Sequence, residues 1–352
     1  MWMRVSENSV TSPEASTRLL ARFAWLTLGY NIAVILWGAY VRATGSGAGC
    51  GNRWPLCNGV VLPRTPQTQT VIEFTHRLTS GLAVVMVSVL LVWCWRRTSK
   101  GSWARYSSVA AILLLFNEAL LGAFLVLFEH VGQDRSPARV FFLCMHFGNT
   151  LLLLAALALT AQWLEKGNRR FSPGKNRAEI VAVVSGLLAT ICIGITGSLA
   201  ALGDTLFPAT SLRASLIQDF SSGNVLLRLR FLHPVAAAIG AMFVVWLIQK
   251  SLRNRGRSSS QVVMLAGVLI GQIGLGILNI MLLAPVWLQI VHLLVAELFW
   301  VLVVLASANL LFSAVDSPSE VRLASNFSAQ SPGEPGYAPL EPMLINEHSR
   351  EQ

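Results

Sequence analysis

The sequence predicts an all-α polytopic membrane protein: eight transmembrane helices arranged as two repeated four-helix bundles, with both termini cytoplasmic. Three observations predict it. Apolar runs recur at the length that crosses hydrocarbon, for which a helix needs about 20 residues. Basic residues concentrate in alternate connections, and the second half of the chain repeats polar landmarks of the first. Only 12% of the 352 residues are charged against 54% hydrophobic, and the mean hydropathy is +0.58, which excludes an ordinary soluble domain.

The spans fall at 23–42, 71–95, 107–128, 139–164, 178–201, 226–249, 262–283 and 286–312. Hydrocarbon offers no partner to backbone N–H and C=O groups, so each span must be a helix. Residues 1–22 are polar and lack the apolar core and cleavage site of a secretory signal. They also lack the Arg-rich amphipathic pattern of a transit peptide, which predicts a retained, cytoplasmic N-terminal segment. Arg96, Arg97, Lys100 and Arg105 fill the second connection. Lys166, Arg169, Arg170, Lys175 and Arg177 fill the fourth, within a linker at 165–177, and Lys250, Arg253, Arg255 and Arg257 fill the sixth. The positive-inside rule places these three connections, with Arg18 and Arg22, in the cytoplasm and the odd-numbered connections outside. The formal net charge of +10 is therefore an orientation signal, and no nucleic-acid partner is expected. Residues 313–352 are rich in Ser, Pro and Glu, cannot bury enough apolar area to offset ordering, and read as a disordered cytoplasmic tail in which His348 is solvated.

The repeat relates 23–164 to 178–312. The first helix is expected to leave the membrane through Thr44-Gly45-Ser46 and the fifth through Thr196-Gly197-Ser198. The third carries EALLG from Glu118 to Gly122, and the seventh QIGLG from Gln272 to Gly276. Each even-numbered span holds a histidine near its outer end: His76, His146, His233 and His292. Parallel repeats of this kind are a recurrent way to build membrane bundles.

One membrane histidine is explained equally well by hydrogen bonding between helices. Four in register, two per half, can face each other across a bundle core, where cofactors are commonly held. Two histidines per half are too few for a tetrahedral zinc site, whereas two opposed imidazoles suit the axial positions of a haem. Arg77, Arg139, Arg228 and Arg230 are candidate contacts for haem propionates, and interfacial snorkelling explains any one of them as well.

The halves differ in polar detail. Only the first has a carboxylate three residues before its histidine, Glu73 before His76, which puts both on one helix face. A carboxylate stabilised by the positive end of its helix is the plainer account of Glu73. Only the first half has Arg42 at the exit of its first helix, a further candidate propionate contact, and only its first outer loop carries two cysteines, Cys50 and Cys57. In an oxidising compartment these form a disulfide, or they remain two free thiols in a compact loop. Cys94, Cys144 and Cys192 read as small buried hydrophobes. His130, beside Glu129, has no assigned role.

TGSGAGCGNRWPLCNG followed by IEFTHRLTSG, with a histidine on each even-numbered span of a twofold repeat, resembles the haem A synthase family over residues 20–312. The resemblance implies oxidation of the C8 methyl of haem O to a formyl group through hydroxylated intermediates, for terminal oxidase biogenesis. It implies that His76 and His146 hold the substrate haem O, that His233 and His292 ligate a haem b cofactor, that Glu73 is catalytic, and that Cys50 and Cys57 are the outer-loop pair. The implied partners are the enzyme supplying haem O, a quinone or other electron acceptor, membrane lipid and the oxidase assembly machinery. The implied location is the bacterial plasma membrane, multi-pass, with the haem sites near the outer face. The chain departs from the family pattern in two places. Residues 202–225 hold no second cysteine pair, and Glu118 stands where Gln is expected, as Gln272 does in the other half. Glu118 and Glu297 are readable as members of a proton path or as protonated acids bonded between helices. Two further functions fit the residues: a diheme cytochrome b exchanging electrons with quinone, and a non-enzymatic haem carrier. Neither needs both Glu73 and the cysteine loop.

Overall fold

The computed structural model describes residues 13–64, 66–167, 171–173, 176–221, 225–253 and 259–314. The helices are α1 (Pro13–Ala43), α2 (Thr68–Arg97), α3 (Trp103–Leu127), α4 (Pro137–Glu165), α5 (Arg177–Leu206), α6 (Leu212–Ser221), α7 (Val225–Arg253), α8 (Ser259–Met281) and α9 (Val286–Leu311). Two three-residue strands, Phe171–Pro173 and Phe312–Ala314, are the only extended elements among the described residues. Eight of the helices, all but α6, are long and apolar enough to cross a membrane, and they correspond one to one with the predicted spans. This is a multi-pass membrane protein.

Local sequence chemistry sets several helix ends. The Ser136 side chain accepts from the backbone N–H of Arg139 with Pro137 at the first helical position of α4, the arrangement that best satisfies free N–H groups at a helix start. Asn176 accepts from Glu179 N–H in the same way at α5. Arg96 and Arg97 close α2, and Lys250 and Arg253 lie in the last turn of α7, where cations favour the negative helix end.

The main core joins α1, α2, α3, α4 and α9 through Leu28, Val87, Leu90, Leu115, Leu154, Leu157 and Val304. A second cluster of Val244, Leu247, Leu265 and Val303 joins α7 and α8 to α9. The α9 helix thus presents Val304 to one core and Val303 to the other, and its Trp300 indole N–H donates to Leu151 O of α4 at 2.7 Å. These contacts make α4 and α9 the central pair of the bundle.

Four expectations change. The α1 helix starts at Pro13, ten residues before the predicted span. The α5 helix does not end at Thr196-Gly197-Ser198 but runs to Leu206, so the two TGS triplets are not equivalent. Gly45 sits in a turn with φ of 68°, while Gly197 lies inside a helix. The following connection is largely helical, holding α6. Cys192 is exposed on α5 rather than buried, Cys144 is half-buried and Cys94 buried. The proposed tail lies, from residue 315, outside the described residues, as do residues 1–12.

Candidate functional site

Each of the four histidines faces a glycine on the preceding spanning helix. A Cβ added at Gly38 of α1 would lie 2.9 Å from His76 Cε1, and one at Gly197 of α5 would lie 2.9 Å from His233 Cε1. Gly122 of α3 stands in the same relation to His146 at 3.6 Å, and Gly276 of α8 to His292 at 3.4 Å. The missing side chains let the imidazoles lie against helix backbone. Gly122 and Gly276 are the matching glycines of EALLG and QIGLG, but the partner of Gly197 is Gly38, seven residues before the Gly45 of the first TGS.

In the second half, the His233 and His292 ring centroids are 6.4 Å apart. His233 Nδ1 lies 3.2 Å from the Ile193 carbonyl oxygen. A carbonyl only accepts, so Nδ1 carries the proton and Nε2 keeps its lone pair, the tautomer a metal requires. His292 Nε2 lies 3.3 Å from the Gln272 amide nitrogen, an N–H donor, so this nitrogen is unprotonated and its one lone pair accepts from the amide. Two metal–nitrogen bonds of about 2 Å, each extended by about 1.1 Å from nitrogen to ring centre, need about 6.2 Å between centroids. The observed spacing is close to that value, and the Gln272 amide would have to release His292 Nε2 for both imidazoles to share one iron.

In the first half, His76 Nδ1 and His146 Nδ1 are buried with no hydrogen-bond partner, as is His292 Nδ1 in the second. Buried polar atoms are rarely left this way outside functional sites. Glu118 Oε1 lies 3.4 Å from His146 Nδ1, an electrostatic contact longer than a well-formed hydrogen bond.

Glu73 is 3% exposed and lies beyond the first turn of α2. Its Oε2 accepts the Cys50 backbone N–H at 2.8 Å, and its Oε1 accepts Arg77 Nη2 at 2.5 Å. One long-range contact, from Cys50, and one from Arg77 a turn along the same helix hold this carboxylate, rather than the helix terminus. Arg77 also donates to Arg53 O and Leu56 O, each at 2.8 Å. Cys50 and Cys57 are joined by a disulfide. The loop is pressed onto the start of α2: Thr70 Oγ1 donates to Gly49 O at 2.8 Å, and a Cβ at Gly49 would meet the Gln69 backbone at 2.5 Å. Only glycine permits that approach. Asn52 donates to Glu129 Oε1 at 2.9 Å, tying this loop to the α3–α4 turn, where His130 Nδ1 and Asp134 Oδ2 are 2.9 Å apart.

The arginines have protein partners. Arg139 donates to Gly132 O and Asp134 O at 2.8 and 2.7 Å, and Arg230 pairs with Asp204 at 2.9 Å and Asp219 of α6 at 2.7 Å. Arg42 leaves its own half, donating to Thr205 Oγ1 at 3.2 Å and Gln289 Oε1 at 3.3 Å. Gln289 lies one turn from His292, and Arg42 one turn from Gly38 against His76, so this cation spans the edges of both histidine sites. Arg228 lies at the start of α7. Sequence reasoning missed Gln289, Asp204 and Asp219. Three residues ahead of the four histidines stand Glu73, Leu143, Arg230 and Gln289, a row that signals Gln289 but not Asp204 or Asp219.

Comparison with known proteins adds a family. The family described as cytochrome oxidase assembly protein (COX15-CtaA) matches residues 21–304. A protoheme IX farnesyltransferase of Thermus thermophilus is 43% identical over 295 residues, 83% of this chain and 48% of that protein. A heme A synthase of Alkalihalophilus pseudofirmus is 41% identical over 128 residues, 36% of this chain and 40% of that protein. One from Shouchella clausii is 37% identical over 164 residues, covering 46% and 50%. The chain spans about half the length of the curated relatives it matches.

Proposed function

We propose that this protein oxidises a methyl group of haem O, and the premise is its family: the chain belongs to the COX15-CtaA family of cytochrome oxidase assembly proteins. The reaction is the conversion of the C8 methyl to a formyl group through a hydroxylated intermediate. Methyl and water give aldehyde, four electrons and four protons. The relatives named heme A synthase support this reading, and the relative named for farnesyl transfer to protohaem IX supports a supplying enzyme as partner.

The observation that carries the proposal is the asymmetry of the two histidine sites. Glu73 is buried one turn from His76 and pinned to a disulfide-closed loop, while the same place before His233 holds Arg230 in an ion pair. An electron conduit needs no such carboxylate.

His76 and His146 hold the substrate, with the glycines at 38 and 122 leaving room for the rings to turn toward it. The Glu73 carboxylate stabilises positive charge that develops on the methyl carbon, and takes up a proton as the C–H bond breaks. Arg77 fixes the orientation of Oε1 and the Cys50 N–H that of Oε2, so the group is preorganised. His233 and His292 would hold haem b, which supplies one-electron transfer toward a quinone or other acceptor. Arg42, bonded across to Gln289, locks the two sites together. The two four-helix halves, 23–164 and 178–312, are the substrate and electron-handling halves. The membrane is the bacterial plasma membrane, with the histidine sites toward its outer face.

The test is to let membranes that make haem O turn over in water enriched in heavy oxygen and to weigh the extracted haems. The hydroxylated haem should carry the label. Unlabelled hydroxylated haem would exclude water addition, and unchanged haem O would exclude the oxidase.

A further inference from the structure

The histidine that closes each half has a different polar neighbour, and the difference is built rather than incidental. In the first half this neighbour is Glu118, one turn before Gly122 on α3. Its Oε2 accepts the Asn149 side-chain N–H at 2.5 Å, and Oε1 accepts the Thr150 hydroxyl. The Asn149 amide is itself fixed, donating to Leu114 O at 2.9 Å and accepting from Asn117 at 2.8 Å. Thr150 also reaches the His146 carbonyl at 3.0 Å. Asn149 and Thr150 lie three and four residues after His146, so α4 carries both the imidazole and the donors that hold Glu118 beside it. Glu118 Oε1 is left 3.4 Å from His146 Nδ1. In the second half the corresponding residue is Gln272, whose amide nitrogen meets the other imidazole nitrogen, His292 Nε2, at 3.3 Å.

We propose that Glu118 is a positioning residue that accepts the Nδ1 proton of His146, making the iron site of the first half lower in reduction potential than that of the second. The inference rests on the reading of His146 and His292 as haem ligands. Iron held by Nε2 would leave the proton on Nδ1, the nitrogen that lies 3.4 Å from Glu118 Oε1. A carboxylate accepting that proton raises the basicity of the ligating nitrogen, and a more basic ligand favours ferric over ferrous iron. The second half offers no such acceptor, since His292 Nδ1 is buried with no hydrogen-bond partner. The consequence is a direction: electrons drawn from the substrate half pass downhill to the second half, and the substrate iron resists taking them back.

The test is a spectroscopic redox titration of the purified protein carrying both haems, in wild type, Glu118→Gln and Glu118→Asp. Glu118→Gln is expected to raise the ferrous-to-ferric ratio of the first-half haem about tenfold at a fixed potential, about 59 mV for one electron. Glu118→Asp, whose shorter arm withdraws the carboxylate from Nδ1, is expected to move that haem in the same direction, and it reports independently if Glu118→Gln does not fold. A merely structural role for Glu118 would change haem content without moving the midpoint of the haem that remains. His146→Ala separates the premise from the inference. If it removes the first-half haem spectrum while neither exchange moves a midpoint, the inference alone is overturned. If the spectrum survives His146→Ala, the ligand reading and the inference fall together.

Discussion

Replacing Glu73 by alanine and, separately, by glutamine divides its two roles, because the structure assigns each carboxylate oxygen a different partner. In Glu73→Ala both hydrogen bonds vanish. The buried Cys50 N–H loses its acceptor, and Arg77 falls back on the carbonyls of Arg53 and Leu56. Hydrogen bonds to charged groups contribute about 1.5–3 kcal/mol each, and Arg77 keeps other partners, so the expected cost is about 3–4 kcal/mol, felt mainly at the 44–67 loop. Glutamine keeps an acceptor for Cys50 but turns an amide or neutral oxygen toward the guanidinium, costing about 1–2 kcal/mol. Thermal unfolding in detergent reads the stability, and the rate at which an exposed reductant opens Cys50–Cys57 reads the loop. Both variants should lose turnover, Glu73→Gln by at least about 100-fold, since proton transfer and charge stabilisation need the carboxylate. Wild-type turnover in Glu73→Gln would refute the catalytic role and leave Glu73 as a loop anchor. Unchanged reduction of the disulfide in Glu73→Ala would refute the anchor.

Three other perturbations have defined outcomes. Gly49→Ala should lift the cysteine loop from α2, because its Cβ would meet Gln69 backbone at 2.5 Å; a loss of about 1–3 kcal/mol in detergent unfolding and faster disulfide reduction are expected, and normal values of both would contradict the close approach. Gly197→Ala should displace the His233 ring and remove a b-type haem spectrum, while Gly29→Ala, with nothing within 4 Å of its Cβ, should leave it intact; equal spectra would unseat the glycine–histidine contact. The Asp134 turn should loosen in acid. Burial pushes that carboxyl up, but the Ser136 hydroxyl and N–H and the His130 ring more than offset it and hold it below the ordinary value. A depressed carboxylate stabilises above its unfolded value near about pH 4 and loses that contribution as pH falls through the folded one. The opening free energy over residues 130–139, taken from hydrogen exchange after correction for the intrinsic pH dependence of amide exchange, should therefore fall below about pH 4, and Asp134→Asn should remove that fall.

The spans and the four histidines were legible because both are local signals: about 20 apolar residues in a row, and a polar ring where lipid-like residues surround it. The place of Glu73 on the face of His76 was legible from three-residue spacing, but its anchor was not, since Cys50 N–H reaches it from 23 residues away. The TGS triplets show the limit of matching letters. The first is a turn because Gly45 adopts a left-handed conformation, and the second is helix because α5 continues to Leu206. Which glycine meets which histidine is decided by how neighbouring helices cross, and no single-helix pattern records it. Arg42 was singled out for its position, yet its bonds to Thr205 and Gln289 lie across the bundle. Cys192 was misread because an apolar helix in lipid has no polar face to mark which side is buried.

The most direct measurement is the mass of haems extracted from membranes that make haem O, with and without this protein, in a host that supplies an electron acceptor. The account predicts haem A or its hydroxylated precursor only when the protein is present. Haem O left unchanged beside a newly bound b-type haem would contradict it and mark the protein as an electron carrier.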